Sequence, residues 1–374
     1  MTLKECKNPA RLLNSNGDRM ERMKVTIAMS GGIDSAVAAL LLKNEGYDVE
    51  GATLKLCNKM LADGTDLADN DICDARSVSD QLGITHRVYC MEELFHNTVI
   101  RDFVDTYYDG GTPNPCIVCN KHVKFGALLE EELCRGADYL ATGHYARIEK
   151  SDNGRYILKK AVDENKDQTY MLWSLSQHQL SHTLFPLGGL TKAEIRRIGE
   201  SSGFAIAHKS DSQDICFVPD GDYAGFIERE RGEKYPQGNY IDEHGNILGR
   251  HKGIIHYTIG QRKGLGISMG RHIFVACKDA QSNTVTLTDE DRLFTDTVKI
   301  RNINLIPFDS FNGEIRVSAK LRYRHVASPA IAFQSGDDEI TLKFDQPQRA
   351  PAKGQSAVMY DGDTVIGGGI IQQK

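Results

Sequence analysis

The stretch Lys24 to Gly46, KVTIAMSGGIDSAVAALLLKNEG, decides the fold of this 374-residue chain. Apolar residues alternate with shorter ones from Val25 to Met29, which predicts a strand entering a buried sheet. An unbroken apolar run of good helix formers follows Ser35 and predicts a helix. We expect Asp34 or Ser35 to cap the first turn of this helix and Gly46 to end it in the left-handed conformation. The sequence therefore predicts a strand, a tight turn and a helix in direct succession.

The turn between them, Ser30-Gly31-Gly32-Ile33-Asp34-Ser35, has the chemistry of a phosphate-binding loop. Gly31 and Gly32 have no Cβ, so the backbone can approach a ligand, and the helix N-terminus presents unpaired N–H groups. No lysine follows the glycines as in a Walker loop, and the spacing is not GxGxxG. Two hydroxyls and a carboxylate suited to Mg²⁺ favour a loop that holds the pyrophosphate end of ATP. The alternative, a glycine turn before an ordinary capped helix, would not need this combination.

Length, composition and charge limit the classes of protein to which this chain can belong. A chain of 374 residues predicts two or three domains, each with its own core. No run approaches the roughly 18 apolar residues of a membrane span, and Met1 to Met23 is polar, so we expect a cytoplasmic protein without membrane attachment. Nine cysteines favour thiols in a reducing compartment. With a net charge of −6, binding to RNA would have to depend on local basic stretches.

Apolar runs and helical patterns alternate after the first strand, which is typical of an α/β fold with a doubly wound parallel sheet. The turns after Met29, Leu54 and Thr142 would then share one crevice at the carboxyl ends of the strands. A capping box of Thr191 and Glu194 predicts a further helix. The other predicted strands are Asp48–Leu56, His86–Cys90 and Ala137–Ala141, and the other predicted helices are Asp71–Leu82 and Met91–Tyr107.

The pattern changes twice beyond this α/β region. Glycines become dense between Gly221 and Gly270, as in a small module of turns and short strands. From Ile273 to Gln373, short β-rich runs broken by Gly, Asn and Asp predict a small antiparallel barrel. We therefore divide the chain into a mobile tail (1–22), an ATP-binding catalytic domain (23–216), a small central domain (217–272) and a C-terminal β-barrel domain (273–374).

Two further stretches carry cysteines in settings that favour chemistry. In Thr112-Pro113-Asn114-Pro115-Cys116-Ile117-Val118-Cys119-Asn120 the prolines fix the backbone, so we expect a defined loop that presents both thiols rigidly. The alternatives are a pair of buried structural thiols or, with His122, half of a zinc site that lacks a second CxxC pair. Further along the chain, Cys216 follows the polar loop Lys209 to Asp214.

These stretches, taken together and in this order, resemble the tRNA-specific 2-thiouridylases. The SGGxDS loop is the PP-loop pattern of ATP pyrophosphatases, and the cysteine motifs are similar to the family's NPDxxCN and ICF motifs. The resemblance covers nearly the whole chain. It implies a PP-loop domain of the adenine nucleotide alpha hydrolase type, a small central domain and a C-terminal antiparallel β-barrel. Further matching segments are Ala141–Tyr145, Asn165–Tyr170, Tyr257–Gly266 and Leu321–Arg324.

The resemblance also implies which residues act. A flipped base can stack on Tyr323 while Arg322 holds a phosphate, and neither contact requires a basic protein overall. The implied ATP site is Ala28, Met29, Ser30, Gly31, Gly32, Ile33, Asp34, Ser35, Leu54 and Gly143, with Asp34 as a ligand of Mg²⁺. The implied tRNA site is Asn114, Pro115, Cys116, Lys166, Asp167, Gln168, Arg322 and Tyr323, and the implied catalytic thiols are Cys119, Cys216 and Cys116.

The reaction implied by the resemblance replaces the 2-oxygen of the wobble uridine of tRNA by sulfur, after ATP has adenylated that oxygen and released pyrophosphate. The implied partners are the tRNAs for lysine, glutamate and glutamine and a sulfur-donor protein. Two other classes of protein remain as rivals. An adenylating enzyme for a small molecule, or an RNA-binding module with a relic loop, would leave the cysteines unexplained.

One position departs from the family pattern, because Cys116 stands where many members have aspartate. A cysteine replaces aspartate as a metal ligand better than as a general base. Cys116, Cys119 and Cys216 are therefore candidate ligands of a [4Fe–4S] cluster, with one iron left for sulfide. The alternative is a persulfide relay, in which Cys216 carries sulfur and Cys119 releases it by closing a disulfide. The sequence leaves both mechanisms open.

Overall fold

The computed structural model describes residues 22–57, 67–209 and 215–372. By its contacts the chain divides into two compact units, the first covering positions 1–96 and 119–217 and the second 97–118 and 218–374. The predicted tail, 1–22, lies outside the described residues except for Arg22. Within the described ranges, no helix has the length and apolar character needed to cross a membrane.

The first unit contains a five-stranded parallel sheet, which confirms the predicted doubly wound architecture. Its strands lie in the order β3-β2-β1-β4-β7, and Val25 of β1 pairs with Val49 on one side and Tyr139 on the other. The chain order reverses between β1 and β4, so a crevice forms beyond the carboxyl ends of these two strands. The strands of this unit are β1 (Lys24–Ala28), β2 (Asp48–Lys55), β3 (His86–Cys90), β4 (Tyr139–Thr142), the antiparallel hairpin β5 (Ala146–Lys150) and β6 (Tyr156–Lys160), and β7 (Thr183–Leu184).

Nine α-helices are found in the described residues, and π-helical segments at His96–Ile100 and Asn120–Leu128 continue two of them. The predicted capping box of Thr191 and Glu194 is confirmed, since each side chain bonds the other residue's backbone N–H. The helices are α1 (Ile33–Asn44), α2 (Leu67–Leu82), α3 (Glu92–Phe95), α4 (Arg101–Tyr108), α5 (Pro115–Cys119), α6 (Leu129–Cys134), α7 (Gln177–Ser181), α8 (Lys192–Ser201) and α9 (Tyr223–Arg231), with short 3₁₀ turns at Thr169–Met171, Ala205–His208, Ile254–His256 and Glu290–Leu293.

The core of the first unit packs α1 between β1 and α8. Val25 and Ile27 of β1 are buried against α1, whose interior face is rich in alanine and therefore allows a close approach. At the crossing of α1 and α8, a Cβ on Gly199 would lie 2.2 Å from Cδ1 of Ile33. Glycine is required there because any side chain would push α8 away from the start of α1.

The second unit contains a small four-stranded sheet and a closed barrel. The small sheet has the order β10-β11-β8-β9, so the first two β-rich runs after Ile273 pair with the central strands and not with the barrel strands expected from the sequence. Their pairing partners are too far along the chain for a local pattern to reveal. The strands of the small sheet are β8 (Gly238–Ile241), β9 (Ile247–His251), β10 (Phe274–Asp279) and β11 (Thr284–Thr288).

The six-stranded antiparallel barrel confirms the predicted fold of the C-terminal region. Its order is β12-β15-β14-β13-β16-β17, and β17 pairs with β12 to close it. A Cβ on Gly367 would lie 2.1 Å from the carbonyl oxygen of Asn304, so the glycine-rich β17 permits the close approach at the seam. The barrel strands are β12 (Phe294–Leu305), β13 (Glu314–Lys320), β14 (Ser328–Gly336), β15 (Glu339–Arg349), β16 (Ser356–Asp361) and β17 (Thr364–Ile371).

A buried lysine lies in the small sheet. Lys278 of β10 is 2% exposed, and its ammonium nitrogen lies 5.7 Å from the ring centroid of Tyr107. Burial, together with the nearby charge of Lys353, lowers the pKa of Lys278 to about 7, and Cys277 opposes this shift weakly. The folded protein therefore releases this proton at a much lower pH than the unfolded chain does.

We expect this lysine to make the stability of the protein rise with pH. Above pH ~7 the unfolded chain binds more protons at Lys278 than the folded chain, so the free energy of unfolding increases by at most about 1.4 kcal/mol per pH unit until pH ~10. Lys278→Met removes this term. Apparent unfolding temperatures of both proteins between these pH values should diverge in favour of the unsubstituted protein, and parallel curves would contradict the lowered pKa.

Candidate active site

The Ser30–Ser35 loop follows β1 and leads into α1 in a geometry that only glycine permits. Gly31 has φ +69°, and a Cβ there would lie 2.5 Å from the carbonyl oxygen of Asp71. The N-cap of α1 is Gly32, with no side-chain cap, so the predicted capping by Asp34 or Ser35 is wrong. The Ser35 hydroxyl instead donates to the Gly32 carbonyl at 3.0 Å and accepts from the Ser30 N–H at 3.3 Å. The Ser35 hydroxyl thus stabilises the loop by bonding its backbone at two points.

The turn after β4 and the end of β2 lie against this loop, as predicted, whereas most of the turn after β2 lies outside the described residues. A Cβ on Gly143 would lie 2.9 Å from the backbone nitrogen of Ser35, so the turn after β4 packs directly on the start of α1. From β2, the Thr53 hydroxyl donates to the carbonyl of Met29 at 2.9 Å. The half-buried Leu54 lies next to it near the end of β2. The structure therefore forms one crevice around the loop at the switch point of the sheet.

Asp34 lies in the first turn of α1 and is engaged by two side chains. The ammonium group of Lys192 donates to both carboxylate oxygens of Asp34, at 2.7 and 2.9 Å. The Tyr145 hydroxyl donates to Oδ1 of the same carboxylate at 2.8 Å. Lys192 is 8% exposed and Tyr145 is 2% exposed, so solvent screens these two groups weakly, whereas the Asp34 side chain is 29% exposed. A buried lysine therefore supplies the cation that the loop itself lacks.

Sequence reasoning missed Lys192, although a signal was present. Lys192 is the first residue of α8, where the positive end of the helix dipole disfavours a cation. A lysine at that position, directly after a well-formed cap, points to a partner outside the helix. The backbone N–H of Lys192 donates to Oδ2 of Asp163 at 3.0 Å, which orients the start of α8.

Lys209 is a second lysine beside the loop. Its ammonium group donates to Asp74 at 2.7 Å and to Asp71 at 3.0 Å, and it lies 3.4 Å from the carbonyl oxygen of Gly31. Burial opposes the charge, but the hydrogen bonds with the two aspartates outweigh it and raise the pKa of Lys209. Lys209 therefore stays charged and links the loop to α2, immediately before the segment that leads to Cys216.

The turn after β4 places a neutral imidazole near the crevice. His144 Nδ1 and the Thr142 hydroxyl lie 2.7 Å apart, and the imidazole packs against Phe125 and Phe185. Burial, and then the charge of Lys124, holds the pKa of His144 well below its usual range. His144 is therefore uncharged at neutral pH and adds no positive charge to the site.

Two of the three cysteines lie on a helix, and the third precedes a buried phenylalanine. Pro115 begins α5, so Cys116 and Cys119 lie on a helix and not in the loop expected from the two prolines, because proline is well suited to a first helical position. Cys116 is exposed, whereas Cys119 is buried. Cys216 is exposed, and the ring of Phe217 next to it packs edge-on against Phe95 at 5.6 Å between centroids. The first unit thus holds the loop, Cys119 and Cys216.

The described residues do not present a ready metal centre. In the parts of the chain that the structure describes, no group of three or more His, Cys, Asp or Glu side chains is arranged to hold a metal ion. Nor does a disulfide join any two cysteines there. Ligation of an iron–sulfur cluster by Cys116, Cys119 and Cys216 therefore stays a prediction, and we derive no step through iron.

The predicted Lys166-Asp167-Gln168 segment supports the site by hydrogen bonds. Asp167 is 6% exposed and accepts from the Thr169 hydroxyl at 2.7 Å and from the Ala161 N–H at 3.2 Å. Gln168 Oε1 accepts from the Tyr145 N–H at 2.9 Å, which ties this segment to the turn after β4. Lys166 is half-buried. Contact of these three residues with tRNA stays a prediction.

The predicted tRNA residues of the second unit lie on the barrel and ahead of α5. The Arg322 guanidinium donates to the Ala350 carbonyl at 2.7 Å and to the Ile259 carbonyl at 3.3 Å, and Tyr323 beside it is half-buried. Arg322 therefore joins the loop after β15 to the segment before β10. Ahead of α5, the Asn114 carbonyl accepts from the N–H of Ile117 at 3.2 Å.

The parallel sheet with the glycine loop at its switch point defines a nucleotide-binding enzyme of the PP-loop ATP pyrophosphatase class. Three family models match successive parts of the chain: "tRNA methyl transferase HUP domain" at residues 23–220, "tRNA methyl transferase PRC-barrel domain" at 224–289, and "Aminomethyltransferase beta-barrel domain" at 295–371. The chain belongs to the family of tRNA-specific 2-thiouridylases, as its relatives demonstrate.

The tRNA-specific 2-thiouridylase MnmA of Clostridioides difficile (strain 630) is 48% identical over 355 residues, covering 94% of this chain and 98% of the relative. The protein of the same name from Clostridium acetobutylicum is 47% identical over 353 residues, covering 93% and 99%. A solved structure, the U34-tRNA thiolase NcsA from Methanococcus maripaludis with its [4Fe-4S] cluster, is 18% identical with a TM-score of 0.35, covering 57% of this chain and 69% of that one. It is too distant to bear on the mechanism here.

Proposed function

We propose that this protein converts the wobble uridine of tRNA to 2-thiouridine, with release of AMP and pyrophosphate. The observation that carries the proposal is the Ser30–Ser35 loop at the switch point of the sheet, with Lys192 paired to Asp34 behind it. The same unit holds Cys119 and Cys216, which an adenylating enzyme for a small molecule would not need. The family membership supports tRNA as the substrate.

In the first half-reaction the loop binds and orients ATP. The N–H groups in the first turn of α1 and the Ser30 hydroxyl donate to the phosphate oxygens. The uridine 2-oxygen attacks the α-phosphorus, and the bond from that phosphorus to the bridging oxygen breaks, so pyrophosphate leaves. Lys192 stabilises the charge that develops on the departing oxygens. Mg²⁺, held by Asp34 and by phosphate oxygens, would neutralise part of the charge of the triphosphate.

Asp34 retains room for that ion. Each carboxylate oxygen has two acceptor positions, and Oδ2 of Asp34 accepts one hydrogen bond from Lys192. Mg²⁺ bound through substrate phosphates commonly takes only one or two carboxylates from the protein. The residues present therefore fit the ion in the substrate complex.

In the second half-reaction we propose a persulfide relay. Cys216 receives a sulfane sulfur from a donor protein, and the Cys119 thiolate attacks the Cys216 sulfur atom of that persulfide. An S–S bond forms between Cys119 and Cys216, and hydrosulfide is expelled with the electron pair of the broken bond. Hydrosulfide attacks C2 of the uridine and displaces AMP. A thiol reductant then supplies two electrons and two protons to restore both thiols.

The finer assignments follow the family pattern. We propose that the enzyme acts in the cytoplasm and modifies the tRNAs for lysine, glutamate and glutamine. Asn114, Pro115, Lys166, Asp167, Gln168, Arg322 and Tyr323, together with Cys116, contact the tRNA in this proposal. A non-catalytic RNA-binding module is the less favoured alternative, because it would have no use for the intact loop or its buried lysine.

The function is tested by reconstitution. The purified protein is incubated with a tRNA transcript for lysine, ATP, Mg²⁺ and a low-molecular-weight persulfide, and nucleosides are then measured by mass spectrometry. We expect 2-thiouridine at the wobble position and one pyrophosphate for each thiouridine formed. A transcript with cytidine at that position is the control. Thiolation that is independent of ATP, or its absence with every substrate tRNA, would overturn the proposal.

We expect Arg322→Ala to weaken tRNA binding and to lower its salt dependence by about one phosphate contact. Binding is measured by filter retention over a salt series. Arg316→Ala is the matched control, because Arg316 is an exposed barrel arginine paired with Asp345. Arg322→Lys keeps the charge but loses the guanidinium Nη2 that bonds both carbonyl groups, so it separates the phosphate contact from the packing role. A salt slope equal to that of the control would exclude Arg322 from the RNA interface.

A further inference from the structure

The segment Asp109–Pro113 connects α4 to α5 in the second unit and carries several carbonyl groups that need partners. Gly110 has φ +73°, which turns the chain out of α4, and Pro113 has no N–H to donate to a ladder. The segment therefore forms no regular secondary structure. Its carbonyl groups are bonded by side chains that come from β10 and from the loop between β15 and β16.

Three of these side chains hold the segment, and we call them the clamp: Lys278, Lys353 and Gln355. The ammonium group of Lys278 donates to the carbonyl of Gly111 at 3.1 Å and also to that of Tyr257 at 2.8 Å. Because Lys278 is almost fully buried, these bonds are protected from competing water. They tie the segment ahead of α5 to the central sheet.

The other two members of the clamp come from the loop after β15. Gln355 Nε2 donates to the carbonyls of Thr112 and Pro113, at 2.9 and 3.1 Å. Lys353 Nζ lies 3.1 Å from the carbonyl oxygen of Asp109 and 2.5 Å from its carboxylate. The clamp thus bonds four of the five carbonyl groups of the segment.

The backbone of the same loop closes on the segment. The Thr112 N–H donates to the Lys353 carbonyl at 2.7 Å, and a Cβ on Gly354 would lie 3.0 Å from the Thr112 nitrogen. Thr106 of α4 also lies close, because a Cβ on Gly111 would lie 2.7 Å and a Cβ on Gly354 2.9 Å from its Cγ2. With so little space around it, the segment cannot shift without breaking several bonds at once.

The clamp ends immediately before the thiol-bearing helix. Pro113, the last residue held by Gln355, is followed by Asn114 and then by Pro115, the first residue of α5. Both prolines restrict the backbone at this junction. The direction in which α5 leaves the segment is therefore set by the clamp, and so is the position of Cys116 in its first turn.

We propose that Lys278, Lys353 and Gln355 are positioning residues that fix the entry of α5 and so orient this helix for sulfur transfer. The inference rests on the proposed function only for its catalytic readout. Loss of the clamp slows the sulfur step, in which a displacement of about 1 Å can cost 100-fold in rate. The ATP loop belongs to the other unit and keeps all its contacts, so the loss falls far more heavily on thiolation than on pyrophosphate release. Adenylation and thiolation then become uncoupled.

Gln355→Ala tests this, because Gln355 is half-buried and its removal leaves the barrel core intact. We expect about tenfold less 2-thiouridine per unit time, pyrophosphate release within about twofold of the unsubstituted protein, and therefore a raised ratio of pyrophosphate to thiouridine. Gln355→Glu keeps the shape but removes the donor, so it should behave like the alanine variant. Gln348→Ala is the control, since Gln348 is also half-buried but its side chain bonds within its own strand.

A second readout needs no catalysis. Cys116 and Cys90 are both exposed, and the rate of iodoacetamide labelling of each is followed by mass spectrometry in the protein without substrates. We expect Gln355→Ala and Lys353→Met to change the labelling rate of Cys116 severalfold and to leave Cys90 unchanged. If the unsubstituted protein makes no thiouridine, the proposed function fails while this labelling still decides the role of the clamp.

Two results would overturn the proposal. One is an unchanged ratio of products together with an unchanged labelling rate of Cys116. The other is a parallel loss of pyrophosphate and thiouridine with a lowered unfolding temperature, which would give the clamp a purely structural role.

Discussion

Lys192→Met is expected to lower the rate of tRNA-dependent pyrophosphate release by about 100- to 1000-fold, the usual cost of removing one preorganised group that stabilises developing charge. Methionine keeps most of the length of the side chain and removes its ammonium group. The affected charge develops on the departing pyrophosphate, so kcat should fall more than the affinity for ATP. Steady-state pyrophosphate release at saturating tRNA measures the effect.

The matched control is Lys43→Met. Lys43 lies in the last turn of α1 in the same unit, and its ammonium group donates to the carbonyl of Leu82. It is a lysine of the same helix that carries the loop, but it is remote from the loop itself. A similar loss of activity in both variants would contradict a specific role for Lys192.

Removing one partner of a partly buried ion pair can also destabilise the fold by several kcal/mol. The double variant Asp34→Asn with Lys192→Met removes both charges and relieves this penalty. We expect it to unfold at a higher temperature than Lys192→Met alone and yet to remain as inactive. Recovery of activity along with stability would assign Lys192 a structural role only.

The sequence predicted the first unit well because its signals are local. The strand from Val25, the two glycines and the capping box of Thr191 and Glu194 each act within a few residues, so periodicity and residue type reveal them. Gly46, for instance, was predicted to end α1 in the left-handed conformation and has φ +93°. Local signals of this kind also predict where in the sequence the phosphate-binding loop lies.

The charge balance of the site could not be predicted in the same way. Asp34 and Lys192 are 158 residues apart in sequence, and their contact exists only because α8 packs across α1. The sequence therefore predicts a metal-binding carboxylate in the loop but does not reveal the lysine that neutralises it. A local sequence pattern does not reveal a contact between residues so far apart in the chain.

Two predictions are wrong. The start of α5 is mispredicted for a local reason, and the sheet partners of two strands are mispredicted for a non-local one. The two prolines predict a loop, although the restricted φ of Pro115 suits the first residue of α5 equally well. The strand-like runs at Phe274–Asp279 and Thr284–Thr288 were recognised as strands, but their sheet partners β8 and β9 lie earlier in the chain. Residue type predicts a strand, whereas its neighbours in the sheet depend on the whole topology.

The three cysteine variants separate the two sulfur mechanisms. In the persulfide relay, Cys119→Ala and Cys216→Ala abolish 2-thiouridine formation because one attacks and the other carries the sulfur. Both should still release pyrophosphate, since the loop and Lys192 are untouched. Cys116→Ala should keep much of its thiolation activity. Nucleoside mass spectrometry and pyrophosphate release on the same samples measure both halves of the reaction.

A cluster mechanism predicts a different pattern at Cys116. Protein purified without oxygen and reconstituted with iron and sulfide would then bind about four irons per chain and show broad visible absorption. Cys116→Ala would lose iron and thiolation together, as the other two variants do. Cys116→Asp is the control that does not separate the mechanisms, because it restores the residue that many family members have, and an oxygen ligand suits either scheme. It should therefore be active under both mechanisms if it folds.

The relay needs two thiols and no metal ion, whereas the cluster needs three cysteine ligands, and the described residues hold no group of three or more metal-ligating side chains. Cys116 lies exposed in the first turn of α5, where the clamp positions it whether or not it reacts. An iron-free preparation that thiolates tRNA from a persulfide at full rate, with Cys116→Ala equally active, would establish the relay. Iron retained by the unsubstituted protein and lost, with activity, from Cys116→Ala would instead establish the cluster mechanism.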